Sequence, residues 1–278
     1  MSCLGIDIGT TSIKCCYYEK QTKSVCYSQQ VHNANVCEVT SSRNEQSISD
    51  IFDAIRQAIR DLANQLGCCR LNVEQVSLCC QMHGIVLWND CGQRSNLITW
   101  QDQRCDNDFI SNLKILTPKN DLHAGYGNAT LAWLTKYNPE FLQKYTYCGS
   151  IADIFTSVLC GINHTCTISD QNAQSWGFFD AQVCTWNNEA LKLAGIYFKL
   201  PQIVKSGNVI GKVTDESFFI EKGAKVYVPI GDLQASVYSV LGNKLGQVFN
   251  YGTASQLVKT VAKLEDQQKV CRNELQQC

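Results

Sequence analysis

The sequence predicts a layered α/β domain, and three observations predict it. Short apolar strands form a meander at the N-terminus, a long helix with one apolar face follows, and strands then alternate with helices. With 278 residues, 45% hydrophobic and 18% charged, the chain is globular in composition and long enough for about two domains.

Residues 3–9 are a short apolar run ending at Asp7 and Gly9, which suits a buried strand. Thr10-Thr11-Ser12 is the turn, and Ile13–Glu19 and Ser24–Gln30 are two further strands joined by close antiparallel connections. Across 47–66 the period changes. Ile48, Ile51, Phe52, Ile55, Ile59, Leu62 and Leu66 recur at three- and four-residue steps, Ser47 or Ser49 caps the start and Gly67 marks the stop. Val76–Cys80 and Ile85–Asn89 read as strands flanking Gln81-Met82-His83-Gly84. Helical segments follow around 105–113, 129–137, 150–160 and 187–194. Lys225–Ile230 is an apolar strand entering Gly231-Asp232 and a helix that runs to about Leu241. Gln247–Asn250 and Gln256–Val261 bracket a last turn, Tyr251-Gly252-Thr253-Ala254-Ser255.

A formal net charge of −1 argues against a nucleic-acid binder that works through bulk electrostatics. No window approaches the ~18 to 20 uninterrupted apolar residues of a membrane span. The first residues lack the basic stretch of a signal peptide, so the cytoplasm is the expected location and a membrane is not an expected partner. The 17 cysteines include no Cys-x-x-Cys spacing, and the pairs Cys15-Cys16, Cys68-Cys69 and Cys79-Cys80 lie in or near apolar runs. Neighbouring side chains of a strand point to opposite faces, so most of these cysteines read as small buried hydrophobes in a reducing compartment.

Several familiar sites are absent. Gly207-Asn-Val-Ile-Gly211-Lys212-Val213 fails as a P-loop, and Gly125-Tyr-Gly127 lacks the third glycine of a dinucleotide fingerprint. The strongest local signal is Asp7-Ile-Gly9-Thr10-Thr11-Ser12-Ile-Lys14. A tight turn between strands turns amides and hydroxyls the same way, an anion cradle, with Asp7 able to hold a Mg²⁺-bound water and Lys14 a phosphate. A plain hairpin turn explains it equally well. Asp232, entering a helix after a buried strand, suits a helix cap and also a base that takes a proton from an attacking alcohol. Gln81-Met82-His83-Gly84 and Trp100-Gln101-Asp102-Gln103-Arg104 set polar groups beside aromatics, the mixture a sugar site needs. Asp153 and Asp170-Gln171-Asn172-Ala173 are polar insertions between apolar segments; each alone reads as a cap or loop residue, and Asp153 joins the candidate sugar-binding set.

Taken in order, Gly5-Ile-Asp7-Ile-Gly9-Thr10-Thr11-Ser12-x-Lys14, Gln81-Met82-His83-Gly84, Trp100-Gln-Asp102-x-Arg104, Ser169-Asp170-Gln-Asn172-Ala173, Gly231-Asp232-x-Gln-Ala235 and Gly252-Thr253 resemble the FGGY family of carbohydrate kinases. That family belongs to the actin/hexokinase/Hsp70-like ATPase superfamily. The resemblance implies an α/β, ribonuclease-H-like fold, with a first domain over 1–243 and the beginning of a second such domain over 244–278. It implies ATP and Mg²⁺ as cofactors and a small-molecule sugar as substrate, the γ-phosphoryl group passing to the terminal hydroxyl of a ketose. A seven-carbon ketose comes first and a xylulose-type sugar is the alternative. Asp232 would be the base, and Asp7 would organise the metal. Gly9, Thr10, Thr11, Ser12, Lys14, Gly252 and Thr253 would cradle phosphates. Gln81, Met82, His83, Trp100, Asp102 and Arg104 would line the sugar side.

Kinases of this family are roughly twice as long, as a second domain with its own core requires. The glycine-rich adenosine-binding segment is missing from this sequence, and the tail from Lys263 does not resemble the family's continuation. The expectation is that the 278 residues as written bind sugar weakly and phosphorylate it poorly or not at all. A sugar- or partner-binding module without catalysis is the competing reading. A chaperone- or filament-type ATPase is a third, disfavoured by the sugar-lining segments. The sequence carries no sign of oligomeric state.

Overall fold

The N-terminal apolar run is strand β1 (Ser2–Ile8), paired antiparallel with β2 (Ser12–Glu19), which pairs antiparallel with β3 (Ser24–Val31). The computed structural model describes residues 1–36, 42–117, 122–162, 166–251 and 255–260. Along β1 the alternation of a strand decides which side chains meet the core. Leu4, Ile6 and Ile8 are buried, while Cys3, Gly5 and Asp7 share the other face and are half-buried.

Helix α1 (Ile48–Gln65) packs across β2 and β3 with the apolar stripe read from its period: Ile48, Ile51, Phe52, Ile55, Ile59 and Leu62 are all buried. Each such side chain contributes about 1.5–3 kcal/mol relative to exposure. Ser47 caps the start by accepting from the Asp50 amide at 3.3 Å, and Gly67, at φ 68°, ends the helix in a conformation open to glycine. Phe52, Phe155 and Phe218 meet edge-to-face at centroid distances of 4.9–6.0 Å and fill the core beneath α1.

Beyond the meander the sheet becomes parallel. Strand β4 (Gln75–Cys80) lies beside β1 with Ile8 opposite Cys80. Strands β5 (Val209–Lys212), β6 (Lys225–Tyr227) and β7 (Ile230–Gly231) complete a seven-stranded sheet ordered β5-β6-β4-β1-β2-β3, with β7 also beside β4. This is the expected α/β, ribonuclease-H-like arrangement. The strand expected over 225–230 is two pieces. Pro229 has no N–H for the ladder, and both pieces pair with β4, Val226 opposite Val76 and Gly231 opposite Cys80. Strand β5, whose residues the sequence reading treated only as a failed P-loop, is new.

A second apolar cluster, with Ile85, Leu87, Ile98, Leu131, Trp176 and Phe178 at its centre, gathers α2 (Asn107–Leu116), α3 (Gly127–Tyr137) and the segments around them. Helix α4 (Ile151–Cys160) packs against β4, and the short α5 (Asp170–Gln174) against β7. The chain divides into two compact units, Met1–Gly231 and Asp232–Cys278, where the sequence reading drew its line after 243. The second unit contains α6 (Asp232–Leu241) and an antiparallel hairpin of β8 (Gln247–Tyr251) and β9 (Ser255–Lys259). Phe249 and Leu257 face each other across it, 65% and 70% exposed.

Among the described residues no helix is long and apolar enough to cross a membrane. The described cysteines are free thiols. The reading of cysteine as a buried hydrophobe fits Cys15, Cys80, Cys105, Cys148, Cys160 and Cys166, and fails for exposed Cys69, Cys91 and Cys184. In the strand pairs one thiol is buried and its neighbour, Cys16 or Cys79, is half-buried, as alternation requires. Burial pushes the Cys15 and Cys105 thiols up to about 12.

Candidate active site

The site grows from one register. Ile8, Cys80 and Gly231 stand side by side across β1, β4 and β7, so the segments that leave β1 and β4 emerge at the same end of the sheet. In open α/β sheets that carboxyl-terminal edge is where ligands bind. The β1–β2 turn starts at Gly9, whose amide donates to the Ser12 carbonyl at 3.0 Å. A Cβ on Gly9 would lie 2.9 Å from that same oxygen, so only glycine fits this closure. The expected cradle therefore lacks one donor, because the Gly9 N–H is spent inside the turn. Ser12 is buried as the first residue of β2, and the Thr11 carbonyl accepts from the His32 amide.

Thr10 is the junction. Its Oγ1 donates to Gln81 Oε1 at 3.4 Å and accepts from Trp100 Nε1 at 3.1 Å, and its carbonyl accepts from Gln46 Nε2 at 2.9 Å. Gln46 in turn accepts from Gln81 Nε2 at 3.0 Å. The structure thus ties the phosphate-type turn to both segments expected to line a sugar. Asp7 pairs with Lys14 through Oδ2 at 3.2 Å, as their positions directly opposite in the β1–β2 ladder dictate. The other oxygen, Oδ1, is buried without a hydrogen-bond partner. An orphaned carboxylate oxygen at a strand end is the donor type that a hydrated Mg²⁺ takes, so the residues fit that ion. Lys14 is half spent on Asp7, an exposed pair of small worth in itself.

His83 sits at φ 70°, unusual for a residue with a side chain, and its Nδ1 lies 2.8 Å from the Ser175 carbonyl. Next to it, the Met82 carbonyl accepts from Gly84 N–H at 2.8 Å, and the Met82 side chain is half-buried. Trp100 is half-buried, while Asp102 is 0% exposed. Both Asp102 oxygens accept from Arg104, at 2.8 and 2.9 Å, and Oδ2 also accepts from the Asn44 amide. Arg104 reaches Glu45 at 2.7 Å. Burial opposes the guanidinium charge, but Asp102 and Glu45 outweigh it and hold its pKa above the ordinary value. Asp102, expected among the sugar-lining residues, has its oxygens engaged by Arg104 and Asn44 and braces the Trp100–Arg104 loop.

Asp153, also expected on the sugar side, stands in a helix cap. It is the third residue of α4, and its Oδ2 accepts from Ser150 N–H at 2.8 Å while the Ser150 hydroxyl accepts from its amide, a capping box. It is 1% exposed within the core, and burial, opposed by the Ser150 bonds, pushes its carboxyl up to about 7. A carboxyl raised on folding stabilises the protein below about pH 4, and the contribution is lost as pH rises through about 7. The native protein is expected to lose on the order of 4 kcal/mol from this group over that range. Asp153→Asn keeps an acceptor for Ser150 and flattens the slope. Thermal melts from pH 4 to 8 check this, and parallel slopes in the two proteins would contradict it.

Asp232 opens α6, and its Oδ1 accepts from the Leu233 amide at 2.8 Å. The residue before it is held from the first unit's own side: Gly231 N–H donates to Gln171 Oε1 at 2.6 Å, and Asn172 Nδ2 to the Pro229 carbonyl at 3.4 Å. Gly252 and Thr253 lie outside the described residues. Sequence reasoning read Gln171 only as part of the 169–173 motif, without its contact to Gly231, and it missed Gln46 and the Tyr126 stack altogether. Each matters through a contact distant in the chain, and no period or motif marks that contact.

The turn after β1 is tied to the 81–84 and 100–104 segments at one edge of a ribonuclease-H-like sheet, and known carbohydrate kinases share this arrangement of the chain. Residues 2–242 match the N-terminal domain of the FGGY family of carbohydrate kinases, and the chain belongs to that family. It is 35% identical to sedoheptulokinase of Homo sapiens over 93% of its own length, and spans 59% of that relative. Among solved structures it superposes on xylulose kinase from Rhodospirillum rubrum with a TM-score of 0.81 at 19% identity, covering 94% of this chain and 57% of that one. Against Plasmodium falciparum glycerol kinase with ADP the TM-score is 0.79 at 19% identity, over 92% of this chain and 53% of that one.

Proposed function

We propose that this chain supplies the sugar side, the catalytic base and the first phosphate turn of an ATP-dependent ketose kinase, with sedoheptulose as acceptor and sedoheptulose 7-phosphate as product. The observation that carries the reading is Thr10, whose one hydroxyl joins the turn after β1 to Gln81 and to Trp100. A phosphate-type loop braced directly on a sugar-type wall is what transfer between the two substrates needs. The 35% identity to sedoheptulokinase favours the seven-carbon ketose over xylulose.

In this reading His83 hydrogen-bonds the polyol, the Trp100 ring covers its C–H face, and Gln81, buried between Thr10 and Gln46, holds the wall behind them. Asp232 accepts the proton of the terminal hydroxyl as that oxygen bonds the γ-phosphorus and the bond from phosphorus to the ADP oxygen breaks. Asp7 would hold Mg²⁺, and the ion would supply positive charge against the phosphates. Gly9, Thr10, Thr11, Ser12 and Lys14 set the outer limit of the phosphate site, and Gly252 and Thr253 are proposed as its second turn. Arg104 and Asp102 keep the wall in shape. A reducing, cytoplasmic setting belongs to the same reading and accords with the free thiols.

The test is ADP formation by the purified protein with sedoheptulose, xylulose and glycerol offered separately. Turnover with sedoheptulose above the other two is expected. A preference for glycerol or xylulose over sedoheptulose, in ADP formation or in sugar binding, would refute the assignment.

A further inference from the structure

The tripeptide Gly125-Tyr126-Gly127, which fails as a dinucleotide motif, touches three parts of the sugar wall at once. A Cβ on Gly125, at φ 80°, would run into the Trp100 carbonyl, so this glycine lies directly against the main chain of the Trp100–Arg104 loop. Gly127 is pressed against the Trp176 ring, where a Cβ would approach to 2.5 Å. Asn128, one residue on, is completely buried and binds the same segment, its amide to the Trp176 carbonyl at 3.3 Å and its Nδ2 to the Gly177 carbonyl at 2.8 Å. Between the two glycines Tyr126 lies flat on His83, with centroids 4.3 Å apart and planes 6° from parallel.

His83 is thus gripped from two sides. The Ser175 carbonyl, which only accepts, takes a hydrogen bond from Nδ1, so Nδ1 carries a proton and, in the neutral ring, Nε2 carries the lone pair. The stacked Tyr126 ring fixes the plane in which that lone pair points. The left-handed backbone at His83 is a conformation retained only where surroundings over-determine it.

We infer that Tyr126 is a positioning residue for sugar recognition: by stacking on His83 it holds one ring plane and one tautomer, and so sets which hydroxyl of the ketose His83 reads. The inference rests on the proposed sugar-binding role of His83. Its mechanical half, the fixing of ring and tautomer, stands without any sugar.

Two measurements on the full chain test it. Nitrogen-15 NMR of the imidazoles, with His83 assigned by its loss in His83→Gln, is expected to show His83 as a single Nδ1–H tautomer in the native protein. That signature persists in Tyr126→Phe and averages in Tyr126→Leu. Sedoheptulose titration by tryptophan fluorescence is expected to give a Kd about tenfold weaker in Tyr126→Leu and within about twofold of native in Tyr126→Phe, the scale of one aromatic stack. An Nε2–H tautomer in the native protein overturns the inference outright, even if Tyr126→Leu does not fold. Equal losses in the Phe and Leu variants also overturn it, because the hydroxyl rather than the ring would then be acting. If the native protein binds no ketose while the tautomer behaves as stated, the functional reading fails and the positioning of His83 survives.

Discussion

Asp232→Asn is expected to lower sedoheptulose-dependent ADP formation by about 10³-fold, within the 10²–10⁴-fold range that a positioned general base supplies. Sugar affinity is expected to change by less than about threefold. The asparagine has the same shape, and its side-chain oxygen still accepts from the Leu233 amide that now binds Asp232 Oδ1. What it cannot do is take a proton. Turnover and sugar binding should therefore separate, turnover collapsing while the titration curve stays in place. A module that only binds sugar would have no turnover to lose and would change little, and a variant retaining more than about a tenth of native turnover would remove Asp232 from the chemistry. The comparison uses one protein and one substrate, so it distinguishes the two readings without knowledge of the nucleotide half.

The second large effect is on stability. Arg104→Met should cost about 3–5 kcal/mol, because it strips the partner from a carboxylate that has no access to water. Asp102 is 0% exposed and Arg104 is 5% exposed at its side chain, so neither charge is relieved by solvent when the other is removed. Glu45, at 20%, is able to rehydrate and adds little to the loss. Arg104→Lys should recover only part of it, since an ammonium does not match the two-pronged contact with both Asp102 oxygens. Urea unfolding gives the difference directly. Sugar affinity is expected to fall in parallel, because Trp100 stands in the loop that Asp102 and Asn44 pin down. A methionine variant as stable as the native protein would show that the ion pair is replaceable by packing alone.

Different physics made parts of this protein legible at different levels. The helix over 47–66 was readable because a 3.6-residue period and a serine cap are local properties, and the observed α1 differs by a residue at each end. Beyond it, Pro229 was visible in the sequence, yet the division of 225–230 into two strands both pairing β4 was not, because pairing joins residues about 150 apart. Aspartate was the hardest case. Asp7, Asp102 and Asp153 have identical chemistry, and Asp7 and Asp153 have similar apolar flanks. Only their surroundings make one an ion-pair partner with an orphaned oxygen, one a brace for arginine and one a neutralised helix cap.

The sequence by itself determined the family, the α/β alternation and which residues are candidates for the site, since these rest on residue type and spacing along the chain. Tertiary structure alone decided what each of those residues is free to do. Hydrogen-bonding capacity and burial are shared out among neighbours in space. Thr10 became a junction, the Gly9 amide was spent in its turn and Tyr126 came to rest on His83 only once distant segments had packed together.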